Sequence, residues 1–127
     1  MVGSMAEKLR VLFVDDDPAA ARLYKSYLTA DGHEVVVADS GIEAVEATER
    51  DRFDVVVMDL NMPGLDGWMS MSLIKARRPK LPVVVLTGDQ SKDLEARSKT
   101  AGAAGFLVKP CKPDVLLRTL KRATAAQ

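Results

Sequence analysis

The sequence predicts an α/β fold in which helices cover both faces of a parallel sheet. Five short apolar runs, rich in valine, occupy residues 9–14, 34–38, 53–58, 82–86 and 105–108. Their nearly continuous apolar character is typical of strands buried on both faces of a parallel sheet, and they are too short for helices. Because segments with helix signals alternate with these runs and crossovers are right-handed, we expect a doubly wound, three-layer (βα)5 sandwich.

Start and stop signals define the first two helices. The first helix begins at Pro18, since proline is favoured in the first helical turn, and it ends at the glycine of Asp31-Gly32. The second helix is capped by Ser40, and Glu43 three residues later completes a capping-box pattern. We expect it to end at residues 50–51.

The remaining three helices are predicted from apolar spacing and from the residues that stop them. The third begins near Asp66 and ends before Pro79, which halts it. The fourth spans about residues 91–101 and is closed by Gly102. The fifth begins near residues 112–114. The apolar positions of the third and fifth helices are Met69, Leu73, Ile74, Val115, Leu116, Leu120 and Ala123.

Length and composition exclude several classes of function. The 127 residues fit one domain, and 18 basic against 18 acidic residues leave no net charge. The long-range attraction to nucleic acid or to an anionic membrane is therefore missing, and we expect no direct nucleic-acid binding. The longest apolar runs fall far short of the roughly 20 residues that span a bilayer. The single cysteine, Cys111, suits a cytoplasmic protein.

Charged and hydroxyl side chains stand where the predicted strands end. In doubly wound sheets, ligands bind beyond the carboxyl ends of the strands. Carboxylates gathered there repel one another unless a cation lies among them. These strand-end residues are Asp15, Asp16 and Asp17 after the first strand, Asp59 after the third, Thr87 after the fourth and Lys109 after the fifth.

Mg²⁺ is the cation that this set of residues predicts. It prefers oxygen ligands and is commonly held by one or two carboxylates together with waters and phosphate oxygens. Lys109 and Thr87 can bind oxygens that the metal does not reach, which indicates an anionic guest such as a phosphoryl group. Asp59 stands alone at the middle of the sheet, where it can attack phosphorus to give an aspartyl phosphate.

Four segments carry a resemblance to a known family. They are residues 13–16 (FVDD), 57–67 (VMDLNMPGLDG), 86–88 (LTG) and 106–110 (FLVKP). Together they closely resemble the response-regulator receiver domain of two-component signalling, in the CheY-like superfamily, with the motifs in family order. The resemblance implies a flavodoxin-like sheet of strand order 2-1-3-4-5. It also implies a donor phosphohistidine on a sensor histidine kinase or a histidine phosphotransfer protein.

The resemblance assigns roles to the metal and phosphoryl ligands. It implies that Asp16 and Asp59 bind Mg²⁺, or Mn²⁺ in its place, directly. Asp15 acts largely through water, and Asn61 offers its main-chain carbonyl. The domain itself then catalyses phosphoryl transfer and autodephosphorylation, and it is not a metabolic enzyme. The residues implied to contact the phosphoryl oxygens are Thr87 and Lys109.

The resemblance also implies how the state of the site is read out. Thr87 moves toward the phosphate while Phe106 turns inward, which alters the face formed by the fourth helix, fifth strand and fifth helix. Asn61 and Asp89 help to set the dephosphorylation rate. The Lys109-Pro110 peptide bond is expected to be cis. The downstream partner stays open, as does weak homodimerisation through this face.

Three other functions are weighed against this one. A phosphatase of a related fold needs a second aspartate two residues after the nucleophile, where this chain has Asn61. A flavin-nucleotide binder needs a phosphate-cradling loop after the first strand, where this chain is acidic. A receiver-like scaffold that is not phosphorylated is typical of chains that lack a site residue, and this sequence has them all.

Some residues are expected to have a local structural role. Asp17, before Pro18, is interpreted as a helix cap, His33 as a surface turn residue and Cys111 as a packing residue. Residues 1–5 resemble an expression-tag remnant, so the domain is expected to cover residues 6–127. Because no output region follows residue 122 in this sequence, a transcriptional role of the chain is expected to be indirect.

Overall fold

The computed structural model describes residues 8–62 and 67–125, in which five strands and five helices alternate. The strands are β1 (Arg10–Val14), β2 (Glu34–Ala38), β3 (Val55–Met58), β4 (Val83–Thr87) and β5 (Gly105–Val108). The helices are α1 (Pro18–Ala30), α2 (Gly41–Arg50), α3 (Gly67–Arg77), α4 (Leu94–Thr100) and α5 (Pro113–Ala125). The predicted tag remnant and the predicted start of the third helix at Asp66 lie outside the described residues.

The five strands form one parallel sheet in the order β2-β1-β3-β4-β5, which confirms the predicted fold. Val14, the last residue of β1, lies level with Ala38 of β2 and with Met58 of β3. The residues that follow β1 and β3 therefore emerge side by side at the carboxyl edge of the sheet. Asp15 and Asp59 occupy these two positions.

Alternate residues of the central strands contribute their side chains to two separate cores, one on each face of the sheet. Leu12 of β1 and Val56 of β3 face the layer that contains α2, α3 and α4. Phe13 and Val57, their neighbours in sequence, face the layer that contains α1 and α5. Both layers exclude water from these strands, which explains why the strands read as continuous apolar runs.

The helix caps follow the sequence signals with one difference. Asp17 caps α1 through a hydrogen bond from the Ala19 N–H to its Oδ1, at 3.0 Å, as predicted. Ser40 caps α2, since the Glu43 N–H donates to its Oγ at 3.1 Å. The Glu43 carboxylate, however, accepts from the N–H of Asp39 rather than from that of Ser40. The capping box therefore closes one residue earlier than the sequence pattern predicts.

Helix α4 is shorter than predicted, because it begins at Leu94 rather than near Ser91. Ser91 donates its N–H and its hydroxyl to the carboxylate of Asp89, and this local turn competes with helical geometry. Asp93, directly before the helix, has a positive φ of 70° and makes no side-chain cap. The extra residues form the loop that leads from β4 into α4.

Helix α3 confirms only part of its predicted apolar stripe, since Ile74 is buried and Leu73 is half-buried but Met69 is not. Gly67, Ser70, Met71 and Ile74 are buried, with the spacing of one helix face. Met69 lies off that stripe and is 53% exposed. Small residues on the buried side allow close packing, so apolar character alone pointed to the wrong position.

His33 is buried, so the prediction of a surface turn residue is wrong. It lies in the turn between α1 and β2, where its Nδ1 accepts a hydrogen bond from the Leu9 N–H at 3.0 Å. Its Nε2 lies 3.2 Å from the carboxylate of Asp31. The His33 ring thus binds the main chain just before β1. Because Leu9 and His33 are 24 residues apart, the local sequence pattern does not reveal this contact.

No helix in residues 8–62 and 67–125 combines the length and apolar character that crossing a membrane requires.

Gly67, the first residue of α3, packs directly against the main chain that follows β3. Its N–H donates to the carbonyl of Leu60 at 3.2 Å. A Cβ at this position would lie 2.4 Å from the Leu60 Cα and 2.6 Å from the carbonyl oxygen of Asp59. Since backbone atoms cannot move aside without shifting the strand end, only glycine fits here.

We expect Gly67→Ala to destabilise the protein by about 2–3 kcal/mol, because the added methyl group overlaps the main chain at Leu60. The matched control is Gly88→Ala, since a Cβ there meets no atom within 4 Å. The control should stay within about 0.5 kcal/mol of the wild type. Urea unfolding of the three proteins measures both effects, and equal losses for the two variants would contradict the close approach at Gly67.

Candidate functional site

One ammonium group joins the two aspartates at the carboxyl edge of the sheet. Lys109 Nζ donates to Asp15 Oδ2 at 2.6 Å and to Asp59 Oδ2 at 3.0 Å. Asp15 is 2% exposed and Asp59 is 8% exposed, so both carboxylates are withdrawn from solvent. A buried carboxylate requires a compensating charge, and Lys109, which follows β5, supplies one charge to two acids.

The second oxygen of each aspartate is held by the main chain two residues later. The Asp17 N–H donates to Asp15 Oδ1 at 2.9 Å, and the Asn61 N–H donates to Asp59 Oδ1 at 3.0 Å. Each carboxylate is therefore fixed from two sides, by a local turn and by Lys109. The sequence positions of these aspartates, each directly after a strand, make both turns possible.

Two opposing effects act on the pKa of Lys109. Partial burial by itself lowers it, while hydrogen bonds and charge attraction from Asp15 and Asp59 raise it. The two carboxylates prevail, so the pKa of Lys109 lies above its ordinary value of 10.5. The side chain is a permanent cation at physiological pH.

Thr87, at the end of β4, is fully buried, and its hydroxyl oxygen accepts from the Asp89 N–H at 3.2 Å. Its carbonyl accepts from the Lys109 N–H at 2.9 Å, which ties the ends of β4 and β5 together. The Lys109-Pro110 bond is cis, as predicted. The threonine and the lysine are thus joined through their main chains.

Asn61 and Asp89 contact each other across the site. Asn61 Nδ2 donates to Asp89 Oδ2 at 3.2 Å, which links the loop after β3 to the loop after β4. The other oxygen of Asp89 accepts from the Ser91 N–H at 2.8 Å and from the Ser91 hydroxyl. These bonds, from the Ser91 hydroxyl first and from Asn61 second, lower the pKa of Asp89 below 3.8.

Phe106 of β5 is half-buried and packs against the core layer of α2, α3 and α4. It lines an open groove of about 710 Å³ between the β4–α4 loop and α4. Asp89, on the loop, and Leu94, on α4, line the same groove. The predicted switch residue therefore lies beside the loop that carries Asp89.

Asp16 does not join the aspartates that Lys109 holds. Its side chain is exposed, and it shares with Asp15 a cavity of about 330 Å³ beside α1. Across residues 8–62 and 67–125, no three His, Cys, Asp or Glu side chains come close enough to hold a metal together. The expected convergence of three carboxylates is therefore not seen, because Asp16 stays solvated while Lys109 neutralises the other two.

The residues present nevertheless fit Mg²⁺. Asp15 and Asp59 both lie within hydrogen-bonding distance of one Nζ atom, so their carboxylates are neighbours. Mg²⁺ commonly takes one or two carboxylates and fills its shell with water and phosphate oxygens, so a third preformed carboxylate is not required. The donor set consists of oxygens alone, which matches this hard cation.

Sequence reasoning missed two features around the site. The first is Ser91, whose contact with Asp89 follows the Asp-x-Ser spacing of a local turn, a signal that was available. The second is the stacking of the Arg97 guanidinium of α4 over the ring of Trp68 of α3, 4.7 Å from its centroid. No local pattern predicts a contact between residues so far apart in the chain.

The fold and these residues place the chain in a known family. Residues 11–121 match the family model of the response regulator receiver domain. The protein therefore belongs to the response regulator receiver domain family, as the motifs at the strand ends indicated. It is a receiver domain of the kind found in the response regulators of two-component systems.

Curated relatives share this region at about one-third identity. The response regulator protein FleR of Pseudomonas aeruginosa is 37% identical over 118 residues, which are 93% of this chain and 25% of FleR. The transcriptional regulatory protein ZraR of Klebsiella oxytoca is 33% identical over 119 residues, which are 94% of this chain and 27% of ZraR. The chain thus spans about a quarter of the length of these relatives.

Solved structures share the whole fold. The chemotaxis protein CheY4 of Vibrio cholerae superposes with a TM-score of 0.85 at 34% identity, over 92% of this chain and 99% of CheY4. The receiver domain of the sensor histidine kinase PA1611 from P. aeruginosa superposes with a TM-score of 0.82 at 30% identity, over 94% of this chain and 99% of that domain. The PA1611 structure has a magnesium ion coordinated in its active-site cleft.

We expect Lys109→Gln to destabilise the protein by about 2 kcal/mol at pH 7, because it leaves two adjacent carboxylates withdrawn from solvent with no cation. The matched control is Lys112→Gln, which removes an exposed lysine three residues later in the chain. The control should lie within about 0.5 kcal/mol of the wild type. Urea unfolding in metal-free buffer measures both, and a neutral Lys109→Gln variant would contradict the structural role of this ammonium.

Cys111 is buried directly after the cis proline, as its assignment to packing predicts. Its N–H donates to the Tyr24 hydroxyl at 3.1 Å. Burial, together with the negative charge of Asp114, raises the pKa of the Cys111 thiol above 9.0. The thiol is therefore held in its unreactive, protonated form.

The raised pKa of Cys111 predicts slow alkylation. Only the thiolate reacts, so iodoacetamide at pH 8 should modify the folded protein at least about tenfold more slowly than the urea-unfolded chain. The folded state holds the thiol proton of Cys111 more tightly than the unfolded chain does. The protonated thiol therefore stabilises the fold below the pKa of Cys111 in the unfolded chain, and this stabilisation is lost as the pH rises through 9 and above. Mass spectrometry of both states tests the prediction, and equal rates would contradict it.

Proposed function

We propose that Asp59 accepts a phosphoryl group from a phosphohistidine on a sensor histidine kinase or a histidine phosphotransfer protein, with the help of Mg²⁺. The observation that carries this proposal is the pair of hydrogen bonds from Lys109 Nζ to Asp15 and Asp59. It sets a buried nucleophile beside a permanent cation and a second carboxylate, at the sheet edge where this fold binds its ligands.

The transfer is an in-line displacement at phosphorus. An Asp59 carboxylate oxygen forms the new O–P bond as the N–P bond of the phosphohistidine breaks, and the leaving imidazole takes the electron pair. Lys109 can exchange its contact with Asp59 Oδ2 for a phosphoryl oxygen, because both acceptors are anionic. Asp15 holds the ammonium in place during this exchange.

The residues that would hold Mg²⁺ are the carboxylates of Asp15, Asp16 and Asp59 and the main-chain carbonyl of Asn61. Bound there, the ion supplies positive charge against the aspartates and the phosphoryl oxygens. The magnesium in the cleft of the PA1611 receiver domain supports this assignment. The side chain of Asp16 is exposed and therefore free to turn toward the site.

Phosphorylation is proposed to alter the face formed by α4, β5 and α5, through Thr87 and Phe106. The Thr87 oxygen accepts the Asp89 N–H, which leaves the hydroxyl hydrogen available to a phosphoryl oxygen. Moving Thr87 toward the phosphate opens space near β5, into which the half-buried ring of Phe106 turns. The groove beside Phe106 and α4 then changes shape, and a protein partner reads that change.

Dephosphorylation transfers the phosphoryl group from Asp59 to water. A water oxygen forms a bond to phosphorus, the Asp59 O–P bond breaks, and the Asp59 carboxylate leaves with the electron pair. The protons of the attacking water end on the released phosphate and in solvent. Asn61 and Asp89, which contact each other beside Asp59, are proposed to set the rate of this step.

We expect acetyl phosphate and Mg²⁺ to add one phosphoryl group to the wild-type protein, with acetate as the leaving group. Intact-protein mass spectrometry measures the adduct, with and without Mg²⁺. Asp59→Asn should give none, because the amide is a poor nucleophile. The matched control is Asp39→Asn, which removes an exposed carboxylate at the end of β2 and should keep the adduct.

An adduct that persists in Asp59→Asn, or one that forms equally well without Mg²⁺, would refute this assignment of the site. If no adduct formed under any condition, the domain would instead be a scaffold that binds partners without phosphorylation.

A further inference from the structure

A chain of hydrogen bonds links the loops at the edge of the site. It runs from Asp59 to the N–H of Asn61, from the Asn61 side-chain amide to Asp89, and from Asp89 to Ser91. The strands β3 and β4, from which these loops emerge, are neighbours in the sheet. The contact between Asn61 and Asp89 is therefore a bridge across the gap between the two loops.

Ser91 fixes the far end of this bridge. Its N–H and its hydroxyl both donate to Asp89 Oδ1, while Asn61 Nδ2 donates to Oδ2. The N–H of Asp89 also donates to Thr87 Oγ1. Asp89 is thus held at both carboxylate oxygens and at its main chain, although it lies at the surface, where an aspartate is otherwise free to rotate.

The bridge lies beside the nucleophile and is joined to it through Asn61. Asp59 is 8% exposed although it follows the end of a strand, and the N–H of Asn61 contacts its Oδ1 directly. The side chain of Asn61 is exposed and leads from that contact to Asp89. A phosphodonor or a water molecule that approaches through this gap meets the bridge and, on it, a fixed negative charge. Phosphodonors are anions, so a fixed carboxylate on their path slows their entry.

We propose that Ser91 is a positioning residue that holds the Asn61–Asp89 bridge in place. The bridge, called the latch below, slows the access of both phosphodonor and water to Asp59. The proposal rests on the function proposed for Asp59 and extends it to a residue outside that site. In the transfer from acetyl phosphate, the O–P bond to acetate breaks and the Asp59 O–P bond forms. In hydrolysis, the Asp59 O–P bond breaks and the bond to water forms. The latch takes part in neither bond change.

The test compares Ser91→Ala with Ser91→Thr. Alanine removes the hydroxyl donor, whereas threonine keeps it at an exposed position that has room for a methyl group. The control is Ser26→Ala, which removes an exposed hydroxyl that donates to the Leu23 carbonyl within α1, far from the site. Intact mass measures the rate of adduct formation from acetyl phosphate with Mg²⁺, and the rate of decay after the donor is removed.

Ser91→Ala is expected to raise both rates by about three- to tenfold, the factor that corresponds to losing one hydrogen bond. Ser91→Thr and Ser26→Ala should keep the wild-type rates. Slower decay with unchanged formation would overturn the latch and show that the bridge orients the attacking water. Unchanged rates, or an increase in only one of them, would also overturn it.

A second measurement reads the bridge without phosphorylation. In two-dimensional ¹⁵N NMR spectra of the unmodified protein, the side-chain amide of Asn61 should exchange with solvent faster in Ser91→Ala than in the wild type, and threonine should restore the slow exchange. Equal exchange in all three proteins would refute the role of Ser91. If no variant forms an adduct, the function proposed for Asp59 fails and the latch fails with it; if adducts form at equal rates, the latch alone fails.

Discussion

The placement of one lysine ammonium between two buried aspartates is the constraint on which the rest of the site depends. Lys109 reaches Asp15 and Asp59 only because the sheet order puts β1 beside β3 and its register ends them at the same level. Parallel order, buried strands and the turn after β5 all contribute to that single contact. The fold is therefore the means by which two aspartates, 94 and 50 positions before Lys109 in the chain, share one hydrogen-bond donor.

A repeated local device completes what the sheet begins. Asp15, Asp59 and Thr87, each at a strand end, accept a hydrogen bond from the main-chain N–H two residues later. Asp17 and Asp89 do the same within the loops. Every one of these turns points a polar side chain back toward its own backbone, which fixes it without a long-range partner. The site therefore needs few contacts between distant residues to be rigid.

Features set by neighbours in the sequence could be predicted, whereas features set by tertiary contacts could not. The alternating elements, the caps at Asp17 and Ser40 and the strand-end residues follow from short-range signals, and the structure confirms them. The burial of His33 and the exposure of Met69 depend on which residues the tertiary fold packs around them. The sequence pattern therefore predicted the opposite for both side chains. The same holds for the candidate site: the strand-end positions of Asp15, Asp59 and Lys109 were predictable one by one, whereas the bond between Asn61 and Asp89 depends on two loops meeting.

The stacking of Arg97 on Trp68 bears on the intrinsic fluorescence of the protein. Trp68 is the single tryptophan, and it stands at the start of α3 beneath a cation carried by α4. Indole emission responds to a nearby positive charge, so we expect a movement of Arg97 away from Trp68 to change the fluorescence of the unlabelled protein. The position of α4 beside α3 is thus reported on by a single natural chromophore.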